Sequence, residues 1–111
     1  MRRLYIATPI NGRKGHSFQE KLNAAYDRIC LLKSLLRDNE MFEGYELTST
    51  FDIHDDGIMP TEAEAMGDCI AEVLSCDAIY LDHGWLQSKG CRLEHSAAKI
   101  YGLRIYEHDR L

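Results

Sequence analysis

Apolar residues in this chain fall into short alternating or continuous runs, separated by longer stretches where they recur every three or four positions. Leu4 to Thr8 reads as a first strand, and Pro9, which has no N–H to donate, ends it. Phe18, Leu22, Ala25, Ile29, Leu32 and Leu36 then recur at steps of four and three, which predicts a long helix ending near Arg37 to Asn39. Ser17-Phe-Gln-Glu20 fits a capping box at its start, and Arg28, Lys33 and Arg37 are assigned to its solvated side. Tyr45 to Phe51 alternates and is rich in β-formers, so it reads as a second strand. Pro60 opens a second helix, with Thr61 and Glu64 as another capping box. Ala63, Met66, Ile70 and Val73 mark its buried face, and it ends by Ser75. A third strand, Asp77 to Leu81, leads to a third helix over Gly90 to Tyr101 with Ser88 as N-cap. Gly102 stands where a glycine closes a helix. Leu103 to Tyr106 is the last strand, and His108 to Leu111 a short tail.

Strand and helix therefore alternate through one domain over residues 1–111. Short connections between alternating elements imply a parallel sheet, right-handed crossovers and helices on both faces. The expected architecture is an α/β, flavodoxin-like three-layer sandwich with four parallel strands in the order 2-1-3-4. In such a sheet the ligand cleft lies at the strand ends where the order reverses, here Thr8 to Gly12 and Asp82 to Ser88.

Composition narrows the function. With 111 residues the chain can bury a core without metal or disulfide staples. A net charge of −5 argues against binding polymeric nucleic acid through its backbone. No apolar run is long enough for a membrane span, and the apolar stretch after Met1-Arg-Arg is too short for a secretory signal. Cys30, Cys69, Cys76 and Cys91 show no Cys-x-x-Cys spacing, and are read as reduced core residues of a cytoplasmic protein.

Candidate chemistry sits in three stretches. Ile10-Asn11-Gly12-Arg13-Lys14-Gly15-His16 follows the first strand and reads as a ligand loop or as a plain solvated turn. It matches neither a dinucleotide fingerprint nor a P-loop. Asp52-Ile-His-Asp-Asp-Gly57 carries three carboxylates and a histidine, but no second spaced cluster completes a metal site, so no metal is assigned. The third stretch, Cys76 to Lys99, is a strand, a glycine-containing loop and a helix start, which together make an anion site. Ser88, Lys89 and Gly90 offer a hydroxyl, a cation and free amides. Glu94 lies near Gly90, Cys91, Ala97 and Ala98 by helical spacing, and these small neighbours leave its carboxylate room to reach the cleft. Trp85 either stacks on a base or plugs the loop. Cys91 and His95 lie one helical turn apart, but no third group orients them as a nucleophile pair.

Tyr5-Ile-Ala-Thr-Pro-Ile-Asn-Gly12, Cys76-Asp-Ala-Ile-Tyr-Leu81, Gly84-Trp85 and Ser88-Lys-Gly-Cys-Arg-Leu-Glu94-His-Ser-Ala-Ala98 resemble the nucleoside 2-deoxyribosyltransferase-like family, and its small members most. The Gly-x-x-x-Glu spacing of Gly90 and Glu94 is the most diagnostic part. The resemblance implies that Glu94 attacks the anomeric carbon of a 2-deoxyribose, giving a covalent intermediate that water or another base resolves. It also implies that Tyr5 lies against the substrate, although Tyr5 suits a core position as well. The family's proton donor to the leaving base is an Asp at the position of Cys69, so Asp68 is one residue out of register, and Glu72 or Asp82 are substitutes. One residue turns a side chain by about 100° around a helix. Members that use free nucleosides carry an Asp at the position of Ser88, whereas the related deoxynucleoside 5′-monophosphate N-hydrolases carry Ser. A hydroxyl donates to phosphate where a carboxylate repels it.

The resulting expectation is an enzyme that hydrolyses a 2-deoxynucleoside 5′-monophosphate. Glu94 and Asp68 are catalytic, and Tyr5, Pro9, Asn11, Gly12, Asp82, Trp85, Ser88, Lys89 and Gly90 bind substrate. Base exchange between nucleosides, and nucleotide binding without turnover, are the alternatives. A carboxylate nucleophile needs no cofactor. The partner is a small deoxynucleoside or deoxynucleotide, and the resemblance implies a homo-oligomer.

Overall fold

The computed structural model describes residues 1–10, 18–53 and 62–111. Its elements are β1 (Arg2–Ala7), α1 (Phe18–Arg37), β2 (Tyr45–Ser49), the short α2 (Thr50–Ile53), α3 (Glu62–Leu74), β3 (Ala78–Leu81), α4 (Lys89–Ile100) and β4 (Arg104–Glu107). The four strands form one sheet in the order β2-β1-β3-β4, all parallel, as the alternation predicts. Leu4 pairs with Leu47 on one side and Ala78 on the other. β1 and β3 are thus the inner strands, which explains their near-continuous apolar sequence.

The pleat divides the core in two. Leu4, Ile6, Ala78 and Tyr80 face α1, where Ile29, Leu32 and Leu36 meet them together with Phe42. Tyr5, Ala7, Ile79 and Leu81 point to the opposite face and pack with Val73 of α3 and Cys91 and Ala98 of α4. α4 ends on a Schellman motif: Gly102 takes φ +76°, its N–H donates to Lys99 O at 3.3 Å, and Leu103 N donates to Ala98 O at 2.9 Å.

Several local expectations need correction. The second strand stops at Ser49 and turns helical at Thr50. Ser49 Oγ accepts from Phe51 N at 3.2 Å and donates to Asp52 Oδ2 at 2.8 Å, a local bonding pattern that competes with the ladder. Arg28 and Lys33 are not simply solvated. Arg28 pairs with Asp82, and Lys33 with Asp52 at 2.9 Å. The inner line of α3 includes the buried Cys69 and Val73, while Ala63 in the first turn is exposed. Cys30 is exposed, whereas Cys69, Cys76 and Cys91 are buried, and all four are free thiols. Ser17, Thr61 and the 54–57 part of the acidic loop lie outside the described residues.

Candidate active site

The site is built on the α3/α4 face, from the start of α4 inward. Ser88 has extended backbone (φ −106°, ψ 120°), and its Oγ accepts from Cys91 N at 3.2 Å, so it is the N-cap that the sequence indicates. That cap uses the hydroxyl as an acceptor. The amides of Lys89 and Gly90 precede the helix's internal ladder. Gly90 also serves packing, since a Cβ there would stand 3.3 Å from Met66 Sδ of α3. Lys89 is exposed.

One and a half turns further, Glu94 is turned into the protein and is only 6% exposed. The Tyr5 hydroxyl is the polar group set against its carboxyl. Burial disfavours the charged form and pushes Glu94 up to about 7, against the opposing pull of the Tyr5 donor. The phenol of Tyr5 is pushed well above its ordinary value, by burial first and the Glu94 charge second. Glu94 thus stands near the midpoint of its titration at neutral pH.

The residue that reaches this pair from α3 is Cys69, which is buried. Its Sγ lies 3.2 Å from Thr50 Oγ1, and its thiol is held protonated mainly by burial. Asp68 is on the exposed side of α3. Cys69 stood out in the sequence as a departure from the family pattern. Thr50 carried no signal, because its role depends on α2 bringing the end of β2 against α3.

The other expected residues are placed differently. Asp82 is 2% exposed at the end of β3 and accepts from Arg28 Nε at 2.9 Å, Arg28 Nη2 at 2.8 Å, Thr8 Oγ1 at 3.3 Å and His83 N at 2.7 Å. These donors fill the acceptor capacity of a carboxylate, so Asp82 ties the ends of β1 and β3 to α1. Glu72, the other substitute acid, is engaged by Arg3 and by Thr48 Oγ1 at 3.3 Å. Trp85 is half-buried, with its ring against that of His95 at 4.5 Å between centroids. Cys91 is pushed up to about 12 by burial and stays a thiol, so a Cys91–His95 nucleophile pair is not formed. Pro9 closes on the β3–α4 loop. Gly84, at φ +84°, would bring a Cβ to 3.8 Å from Pro9 Cγ. Asn11 and Gly12 lie outside the described residues.

A cleft of about 450 Å³ opens on the other face, where Thr8, Lys21, Arg28 and Asp82 are among its lining. It does not include Glu94. Arg28 there is paired with Asp82, and the His83 ring with Asp109. The buried carboxyl on the α4 side is therefore the better candidate for chemistry. Among the described residues no cluster of histidine, cysteine and acidic side chains could hold a metal ion, and no helix is long and apolar enough to cross a membrane.

Fold and site together define a parallel α/β domain with a deoxyribosyltransferase-like fold and a buried, helix-borne carboxyl group at its switch-point end. The chain belongs to the family described as a domain of unknown function, DUF4406, whose model matches residues 2–107. Among solved structures it is similar to the 2-desoxiribosyltransferase from Leishmania mexicana, with a TM-score of 0.61 and 19% sequence identity. That superposition covers 96% of this chain and 63% of the other, so the chain spans less than two-thirds of its neighbour's length. No curated protein matches the sequence.

Proposed function

We propose that the protein hydrolyses the N-glycosidic bond of a 2-deoxynucleoside 5′-monophosphate through a covalent deoxyribosyl intermediate on Glu94. The observation that carries this reading is the Glu94 carboxyl group, buried against the Tyr5 hydroxyl one and a half turns into a helix that opens with Ser88. A Glu94 oxygen bonds to the anomeric carbon as the carbon–nitrogen bond breaks, and that bond's electron pair leaves with the base. The base gains one proton. Asp68, on the exposed side of α3, is the candidate donor. Water then attacks the same carbon, the ester bond to Glu94 breaks, and the proton lost by water restores the acid. Without an electron-withdrawing 2-hydroxyl, the sugar bears the developing positive charge more easily. The Ser88 hydroxyl and the Lys89 and Gly90 amides supply donors for the 5′-phosphate.

The test is incubation with a panel of deoxynucleosides and their 5′-monophosphates, with and without a free acceptor base, followed by chromatography. Release of base and 2-deoxyribose 5-phosphate without acceptor is the expected result. Glu94→Gln is expected to lower the rate by roughly 10³-fold or more, and Asp68→Asn by about 10²-fold. An unchanged rate in Asp68→Asn assigns that proton to solvent. Base exchange is the second reading, favoured by the name of the structural neighbour. Product that forms only with an acceptor base selects it over hydrolysis. Binding without any turnover leaves a nucleotide-binding module, and no binding at all removes every nucleotide reading.

A further inference from the structure

Leu93 and Ile100 of α4 are 54% and 78% exposed. With the half-buried Ala97 between them they fall within about 60° of one another on the helix. The buried side of α4 is Cys91, Glu94 and Ala98. Between that side and the stripe lies Gly90, where the helix meets Met66 of α3. The stripe therefore borders α3. On α3 the facing border is Gly67, Ala71 and Leu74, all exposed and at the same steps of four and three. The two helices thus present one continuous apolar face, with large side chains along α4 and a glycine and an alanine along α3. A Cβ at Gly67 would meet nothing within 4 Å, so the small side is open.

The two flanks of this face carry opposite charge. α3 has four acidic residues and no Lys or Arg, and Glu64 and Asp68 lie on its side away from α4. In α4 the one carboxyl, Glu94, is buried, while Arg92 and Lys99 are exposed on its side away from α3. Across the face the order is acidic, small, large, basic. Both helices connect parallel strands, so they run parallel to each other. A two-fold axis along the groove between them lays α4 of a second copy on α3 of the first, and the reverse. Large residues then meet small ones and acidic residues meet basic ones, twice by symmetry. An axis across the helices would stack α3 on α3, acid against acid and glycine against glycine.

We propose that the outer face of α3 and α4 is a self-association surface, on which a second copy of this chain docks about a two-fold axis running along the two helices. Leu93 of each copy enters the open line at Gly67 and Ala71 of the other. Met66 and Gly90 stand at one level, so Arg92 of one copy comes level with Asp68 of the other, one turn from Glu64. A single exposed apolar residue is ordinary on a monomer. Here size and charge select the same two-fold arrangement. Nothing in this pairing draws on the proposed reaction.

The test is the mass of the full chain in solution, by light scattering and sedimentation. Twice the chain mass of 12.7 kDa is expected. Leu93→Asp and Ile100→Asp put a charge into the apolar line, and each is expected to weaken the dimer about thirtyfold or more while circular dichroism stays unchanged. Ile100→Asp, the more exposed of the two, decides the matter if Leu93→Asp does not fold. Leu35→Asp, comparably exposed but on α1, is expected to leave the dimer intact. Glu64→Lys and Arg92→Glu are each expected to weaken self-association about fivefold, and an equal mixture of the two to recover it, because a basic α3 then meets an acidic α4. A wild type that stays monomeric up to about 1 mM overturns the proposal and leaves the face to a different partner. So does a dimer that Leu35→Asp breaks and Leu93→Asp spares, or a mixture that associates no better than either variant alone. A dimer that cleaves no deoxynucleotide keeps this surface and loses the proposed function, and an active monomer does the reverse.

Discussion

At the scale of single residues, Glu94 is where stability and the proposed chemistry conflict. Its carboxyl ionises at an ordinary value of 4.5 when unfolded and at about 7 when folded, because burial opposes the charge. The folded protein therefore holds an extra proton between those values. The stability this confers is complete below about 4.5 and is lost as pH rises through about 7, a loss of roughly 3 kcal/mol. Glu94→Gln removes the charge and keeps the shape. Its stability in urea is expected to exceed the wild type by about 3 kcal/mol at pH 8, with the gap closing towards pH 4.5. An equal or lower stability at pH 8 would show that the carboxylate is not strained by its surroundings. The same carboxylate is the form needed to attack a sugar, so the proposed activity rises as pH passes about 7.

At the scale of elements, the decisive junction joins α1 to the end of β3. Asp82 is nearly inaccessible and depends on the two-pronged grip of Arg28, fifty-four positions away in the chain. Removing Arg28 would leave a buried carboxylate without its counter-charge. Arg28→Met is expected to cost about 3 kcal/mol or more in denaturant unfolding. Lys33 and Asp52 join α1 to α2 in a similar pair, but the Asp52 side chain is 41% exposed, so Lys33→Met is expected to cost less than about 1 kcal/mol. Equal costs for the two variants would mean that burial does not govern these pairs. Periodicity predicts the helix that carries Arg28 and Lys33, but not their partners. Both lie on flanks of α1 that look solvated until β3 and α2 are placed beside it. The short α2 was equally hidden. Its residues favour a strand, and the Ser49 side chain diverts them into a helical turn.

At the scale of the whole molecule, the sheet order places β1 and β3 inside and β2 and β4 at the edges. β1 is sandwiched along Leu4, Tyr5, Ile6 and Ala7, all at most 1% exposed, whereas β4 has no fully buried residue. Amide hydrogen exchange is expected to be slowest in β1 and β3 and measurably faster in β4, since local opening follows burial and edge position. Uniform protection across the four strands would contradict that hierarchy. The arrangement has a functional side. Tyr5 lies in a fully buried inner strand and sets its hydroxyl against Glu94, so the proposed reactive carboxyl faces an inner strand rather than a loop.

The sequence by itself determined the architecture. Alternating strand and helix patterns, with both central strands apolar on two faces, leave few arrangements other than a parallel sheet ordered 2-1-3-4. Local chemistry was legible for the same reason. Ser88 three residues before Cys91, and Gly102 just past Ile100, announce a cap and a stop because capping bonds span only a few positions. Only the tertiary structure decided which polar groups meet. Asp82 is filled by Arg28 and Thr8, while Cys69 meets Thr50. Such contacts join residues far apart in sequence, and no spacing rule records them. The charge of Glu94 was decided there too, because a carboxyl group takes its ionisation from the depth and partners of its site, and neither exists until the helix is packed.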